Sequence, residues 1–183
     1  MRWVEYFREL THVVKKKSKD INTQIGAVIV GKDHEIVSTG YNSFPRGIRD
    51  DIKERQDRPE KYFWFEHAER NAIYNAARIG VSTKNTTMYL SCGVPCADCA
   101  RGIINSGITR IFCERGQVGA KGIKWAESAE RSWDMFDEAG TAFVLKPQVL
   151  RYIPVTIPIP EPPPPEYSYK ERPVESDYYS FKI

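Results

Sequence analysis

Two short stretches contain the residue types of a catalytic metal site. The tripeptide H-A-E occupies residues 67–69, and P-C-A-D-C occupies residues 95–99. One imidazole and two thiolates can hold Zn²⁺ and leave a fourth position for water, whose pKa the metal lowers. The carboxylate would take the proton of that water, pass it to a ring nitrogen and protonate the departing ammonia. The combined pattern is typical of zinc-dependent hydrolytic deamination of an amine-bearing ring.

We therefore expect His67, Cys96 and Cys99 to bind one zinc ion and Glu69 to be the acid–base residue. A C-x-x-C motif alone could also be a redox pair or half of a structural zinc site. A structural site would need a fourth protein ligand, for which the chain offers two further cysteines. Because H-A-E opens one helical pattern and P-C-x-x-C opens another, the catalytic interpretation is favoured.

The elements that must position these motifs alternate between helix and strand. Helices are predicted at 3–17, 67–79 and 96–105, with a fourth marked by Trp125, Ala129, Trp133 and Phe136, and strands at 25–30, 36–41, 87–91, 109–113 and 141–145. A helix between the fourth and fifth strands implies a parallel crossover. The predicted fold is α/β with three α-β-α layers: a mixed five-stranded sheet with helices on both faces.

Composition limits the class of protein. The 183 residues are 41% hydrophobic, which suits one domain with an appendage. The net charge of +3, from 27 basic and 24 acidic residues, is too small to indicate nucleic-acid binding. No apolar run has membrane-spanning length or resembles a signal peptide, so we expect a cytoplasmic protein without membrane contact. Four cysteines, two of them in the metal motif, fit a reducing compartment.

Two segments fall outside the regular elements. The connection at 42–62 is long for a compact domain, which usually indicates a functional loop, and most of the four aromatic residues at 62–65 are expected in the core. Residues 153–165 are rich in proline, which excludes helix and central strand. We therefore predict a zinc-dependent deaminase domain at 1–150 and an extended Pro-rich tail at 151–183 that docks by its aromatic residues. Disorder is the alternative for the tail.

Four stretches together resemble one known family. They are S-K-D with G-A-V-I-V at 18–30, G-Y-N with P-R-G at 40–47, H-A-E-R-N-A-I at 67–73 and P-C-A-D-C at 95–99. In this order they resemble the deoxycytidylate (dCMP) deaminases of the cytidine deaminase superfamily, over about residues 3–145. The resemblance implies a cytidine deaminase-like fold, one catalytic Zn²⁺ per chain, and conversion of dCMP to dUMP plus ammonia in the supply of pyrimidine deoxynucleotides.

The resemblance also implies contacts with the bound nucleotide. Asn42 matches an asparagine that contacts the sugar or base, while the backbone of Ala68 and the turn at Pro95 would contact the pyrimidine. Local positive charge sufficient for one phosphate group is offered by Lys19, Arg46, Arg49 and Arg115.

The family further implies homo-oligomers, either dimers or hexamers, and regulation by dCTP and dTTP. The effector site would lie near the G-Y-N loop, where Asn42 and Arg46 are candidate contacts. Ser43 departs from the glycine usual in that loop, and the segment after the fourth strand lacks a tyrosine common in the family. Trp125 or Arg115 could substitute for that tyrosine.

The residues leave other activities open. The substrate could be dCTP or a C5-modified dCMP, or the protein could deaminate tRNA or single-stranded nucleic acid. A nucleic-acid deaminase needs a basic groove with stacking aromatic residues, which the small net charge disfavours. A non-catalytic zinc scaffold is a further alternative, although such a protein has no use for Glu69 beside its metal.

Overall fold

Five strands form one mixed sheet within residues 1–114 and 123–145, which are the residues described by the computed structural model. In chain order the strands are β1 (Gly26–Val30), β2 (Ile36–Tyr41), β3 (Thr87–Leu90), β4 (Arg110–Cys113) and β5 (Ala142–Leu145). Their order across the sheet is β2-β1-β3-β4-β5. β1 pairs antiparallel with β2 and β3, whereas β3, β4 and β5 are parallel. The predicted mixed sheet, with parallel fourth and fifth strands, is therefore confirmed.

Helices cover both faces of this sheet. They are α1 (Trp3–Val14), α2 (Lys61–Trp64), α3 (Ala68–Arg78), α4 (Ala97–Asn105) and α5 (Ile123–Glu138). One core cluster joins α3, α4 and α5 to the sheet, and a second joins α1 to the opposite face. The three-layer α/β prediction is thus confirmed. In the part of the chain that the structure describes, no helix combines the length and apolarity needed to cross a membrane.

Four sequence predictions concern residues or side chains outside those described. They concern Arg115, the side chain of Trp125, the boundary at residue 150 and the Pro-rich tail at 151–183. The division into a domain at 1–150 and a tail therefore stays a prediction.

The face of α1 toward the sheet contains Phe7 and Thr11, which are both fully buried. Leu10 and Val14 pack partly against the same cluster. Trp3 belongs to the same helical stripe by spacing, but it is 52% exposed. Its ring stacks on His34, which lies between β1 and β2, with 4.5 Å between ring centroids.

Helix α3 lies in backbone contact with β2. Its alanines at positions 68, 72 and 76 are fully buried, as their spacing predicts. A Cβ atom built on Gly40 of β2 would lie 2.3 Å from Ala72 N and 2.4 Å from Ala68 O. Helical spacing in the sequence also predicts Ile79 on this face, but Ile79 is 66% exposed because the helix ends at Arg78 and Gly80 turns the chain with φ of 73°. The placement of Ile79 in the buried stripe is therefore wrong.

We expect Gly40→Ala to destabilise the protein by about 1–3 kcal/mol or more, because the new methyl group meets backbone atoms that cannot move independently. Urea unfolding followed by circular dichroism measures this loss. Gly102→Ala in α4 is the matched control, since its nearest new contact would be an ordinary 3.6 Å and the helix gains propensity. Equal stability of the wild type and the Gly40 variant would contradict the close approach of α3 to β2.

The connection before α3 contains more structure than its sequence suggests. A 3-10 helix at Lys53–Gln56 and the short α2 interrupt it. The prediction that most of its aromatic residues lie in the core is wrong, because Tyr62 is 44% exposed and Phe63 81% exposed. Phe65 packs against Phe44 with ring centroids 4.3 Å apart.

Candidate active site

The predicted zinc ligands come from two helix N-termini. His67 has extended backbone angles and is the N-cap residue of α3, and Cys96 has the same place before α4. Cys99 lies in the first turn of α4 and is fully buried. Each helix starts one residue later than its pattern indicates, because a capping residue is not itself helical. Two separate helix starts therefore bring three ligand side chains to one place.

The ligand atoms have the spacing that zinc requires. His67 Nδ1 lies 3.5 Å from Cys96 Sγ and 3.4 Å from Cys99 Sγ. In a tetrahedral site with Zn–N of about 2.0–2.1 Å and Zn–S of about 2.3 Å, the bonded N and S atoms are roughly 3.6 Å apart. The donor set therefore fits the ion in both chemistry and distance.

The ligand cluster has three members. The three ligand atoms lie within 4.8 Å of one another, and across the described ranges no other His, Cys, Asp or Glu joins them. Cys92 and Cys113, the spare cysteines, pack with the apolar core on the α3 side of the sheet. Within these ranges no fourth ligand is available for a closed structural site, whereas three ligands and an open position suit catalysis.

The pKa values of the two cysteine ligands depend on each other and on the histidine. The pKa of Cys96 is lowered to about 4, chiefly by a hydrogen bond from Cys99 and further by its contact with His67. The same contact with Cys96 raises the pKa of His67 to about 9, against the effect of burial. The hydrogen bond to Cys96 and burial raise the pKa of Cys99. The site thus stabilises thiolate at Cys96, and thiolate is the form of cysteine that binds metals.

Glu69 lies in the first turn of α3 and is only 3% exposed. Burial raises the pKa of its carboxyl group, with the charge of His67 acting in the opposite direction. In the portion of the chain that the structure describes, no lysine or arginine forms an ion pair with it. A buried carboxyl group with a raised pKa beside a metal site is suited to exchanging protons near neutral pH.

Helix α5 positions the start of α4, which the sequence did not indicate. The backbone N–H of Ala97 donates to Ser128 Oγ at 2.9 Å, and Ser132 Oγ donates to the carbonyl of Pro95 at 2.8 Å. Both serines lie more than thirty residues along the chain from these partners. Since serine is common on helix surfaces, no local sequence signal distinguishes them.

Asn42 is the centre of a buried hydrogen-bond network. It is 6% exposed, and its amide group makes four contacts of 2.7–3.2 Å within the chain. Its partners are Ser18 Oγ, Ile25 N, Thr23 O and Asp20 Oδ2. The S-K-D and G-Y-N stretches therefore meet in space, although their sequences give no reason to pair them. The predicted role of Asn42 in nucleotide binding stays a prediction.

A buried ion pair extends this network to α2. Lys61 is 7% exposed, and its Nζ atom pairs with Asp20 Oδ2. The pair anchors the connection before α3 to the loop before β1. A lysine in a polar stretch is usually exposed, so no local pattern indicates this contact.

The other residues predicted to contact the nucleotide or an effector lie partly at the helix starts and partly on the surface. Ala68 and Pro95 are buried at the starts of α3 and α4, directly beside the ligand cluster in sequence. The exposed Lys19 pairs with Asp50 at 3.1 Å. Arg46 donates to Asn75 Oδ1 of α3 at 2.7 Å. These contacts do not test a role in binding phosphate or an effector.

Comparison of the sequence with known protein families identifies the family of this chain. The profile described as "Cytidine and deoxycytidylate deaminase zinc-binding region" matches residues 1–115, which include the complete ligand cluster and Glu69. The chain belongs to this family. It is 35% identical over 146 residues to an uncharacterized deaminase from the luxG 3′ region of Aliivibrio fischeri, covering 80% of this chain and 95% of that protein.

Named deoxycytidylate deaminases are also similar. The human enzyme is 37% identical over 117 residues, which cover 61% of this chain and 64% of that enzyme. Among solved structures, the dCMP deaminase of cyanophage S-TIM5 in apo form has a TM-score of 0.59 at 20% identity, covering 78% of this chain and 96% of that chain. The same enzyme in complex with dCMP and dUMP has a TM-score of 0.60 at 18% identity. At these identities, the structural similarity establishes the cytidine deaminase fold.

Proposed function

We propose that this protein is a zinc-dependent deaminase that hydrolyses dCMP to dUMP and ammonia. The observation that carries the proposal is the convergence of His67, Cys96 and Cys99 beside the buried carboxyl group of Glu69. Membership in the cytidine and deoxycytidylate deaminase family supports it, as does the identity with enzymes named deoxycytidylate deaminase.

Each residue has a role in the proposed reaction. His67, Cys96 and Cys99 would hold Zn²⁺, which when bound would lower the pKa of a water molecule. The Glu69 carboxylate accepts a proton from that water and delivers it to the pyrimidine ring nitrogen beside the amine-bearing carbon. After the water oxygen has bonded to the ring carbon, Glu69 takes the remaining proton from that oxygen and transfers it to the departing amine. The bond from the ring carbon to the amine nitrogen breaks, a C–O bond replaces it, and ammonia leaves.

The nucleotide contacts are part of the same proposal. The backbone of Ala68 and the turn at Pro95 border the ligand cluster and would contact the pyrimidine, and Asn42 would contact the sugar or base. The proposed source of positive charge for the phosphate is Lys19, Arg46, Arg49 and Arg115. Homo-oligomers, and regulation by dCTP and dTTP through Asn42 and Arg46, complete the proposal.

Ammonia release tests the substrate. We expect turnover of dCMP to exceed that of deoxycytidine, dCTP and 5-methyl-dCMP, and that of a tRNA to be absent, because one local phosphate site suits a monophosphate and the small net charge does not suit a long polyanion. Each substrate is measured alone and with dCTP or dTTP as effector. Equal efficiency with deoxycytidine and dCMP would show that phosphate is not recognised, and turnover of dCTP alone would change the substrate but not the chemistry.

A further inference from the structure

Arg70 occupies a position that a cation ordinarily avoids. It is the third residue of α3, in the first turn, where the positive end of the helix dipole favours acidic side chains. Its side chain is only 24% exposed. Departures from such local rules are expected at functional or strained sites.

On one side, Arg70 forms an ion pair with Glu66, the residue before the histidine ligand. Its Nε donates to Glu66 Oε1 at 2.6 Å, and a terminal guanidinium nitrogen lies 2.5 Å from the same oxygen. That oxygen also accepts the backbone N–H of His67 at 2.8 Å. Glu66 is itself fixed, because its backbone exchanges hydrogen bonds of 2.8 and 3.1 Å with Ser43.

On the other side, Arg70 reaches the segment that contains the cysteine ligands. Its second terminal nitrogen lies 3.9 Å from Asp98 Oδ2, and Asp98 stands between Cys96 and Cys99 in α4. The aliphatic stem of Arg70 lies over Gly102, where a Cβ atom would be 3.6 Å from Arg70 Cγ. One side chain therefore contacts both ligand-bearing segments.

We infer that Arg70 is a positioning residue that ties the His67 segment to the Cys96–Cys99 segment and so slows the loss of zinc. The planar guanidinium suits this role, since it can hold Glu66 with one edge and face Asp98 with the other. Groups that orient metal ligands typically contribute 10- to 100-fold to metal affinity or activity. The inference rests on the zinc site of the proposed function, but it does not depend on the identity of the substrate.

The test measures zinc release from the full-length holoprotein to a chromogenic chelator in excess. We expect Arg70→Gln to release zinc about 10- to 100-fold faster than the wild type. Arg78→Gln removes an exposed arginine from the last turn of the same helix and should release zinc at the wild-type rate. If Arg70 were only a surface residue of α3, its removal from the first turn would leave the release rate unchanged.

Two further variants distinguish a link between the two ligand-bearing segments from the effect of a positive charge alone. Arg70→Lys keeps the positive charge but lacks the planar guanidinium that can contact Glu66 and Asp98 at once, so it should release zinc faster than the wild type. Release of zinc at the wild-type rate by this variant would overturn the inference. Asp98→Asn should accelerate release less than Arg70→Gln, because Asp98 is exposed and its contact is longer. In the double variant the two effects should not add. Additive effects in the double variant, or release of zinc at the wild-type rate by Arg70→Gln, would overturn the inference about Arg70. If the wild-type protein retained zinc but did not deaminate dCMP, only the proposed function would be overturned.

Discussion

Replacing Glu69 by glutamine should remove nearly all deaminase activity while zinc stays bound. The amide has almost the shape of the carboxyl group, so the buried position at the start of α3 stays filled. It cannot accept and return protons, however, and general acid–base catalysis typically contributes about 10²- to 10⁴-fold. Because Glu69 serves several proton transfers in the proposed reaction, we expect the loss to reach the upper end of that range. Ammonia release from dCMP and zinc content per chain are the two measurements.

Glu66 provides the comparison for this prediction. It is the nearest other carboxylate in sequence, but its side chain accepts from the His67 backbone and from Arg70 rather than being free to exchange protons. Glu66→Gln should therefore reduce turnover much less than Glu69→Gln. A Glu69 variant that retained more than about a tenth of the wild-type rate would refute the proton-transfer role.

The parts of the fold that local patterns determine were predictable from the sequence. The buried β1, in which all five residues are apolar or glycine and buried, forms as its composition indicates. The glycine after α3 ends that helix with a positive φ, as its position predicts. The metal cluster was predictable because H-A-E and P-C-x-x-C each begin a helix. The residue types and their spacing at two helix starts therefore predicted which side chains would meet.

The supporting contacts were not predictable, because they join residues that are remote in sequence. The hydrogen-bond partners of the Asn42 side chain lie in a loop about twenty residues earlier in the chain. Lys61 is buried with its charge paired to Asp20, which belongs to the same network. The exposed Phe63 shows the converse, since an apolar run beside a motif does not determine which rings reach the core. One hydrophobic residue has many possible partners, and only the packed arrangement selects among them.

Replacing Cys99 by alanine should remove almost all zinc. Cys99 is the fully buried member of the ligand cluster, and its Sγ lies 3.4 Å from His67 Nδ1. Alanine leaves two ligands and one thiolate, and a divalent ion then lacks both the third donor and half of the compensating negative charge. Metal analysis after dialysis should find well under a tenth of the wild-type zinc content, with turnover lost in proportion.

Cys92→Ala is the matched control for this last prediction. Cys92 is another thiol on the same side of the sheet, but it packs with the apolar core and is not part of the ligand cluster. Its removal should leave the zinc content unchanged and cost only the stability of a small, partly buried side chain. Undiminished zinc in the Cys99 variant, or loss of zinc in the Cys92 variant, would show that the metal is held by a different set of cysteines. Either result would also remove the basis for the deaminase chemistry assigned to Glu69, because the carboxylate would then lie beside the wrong ligands.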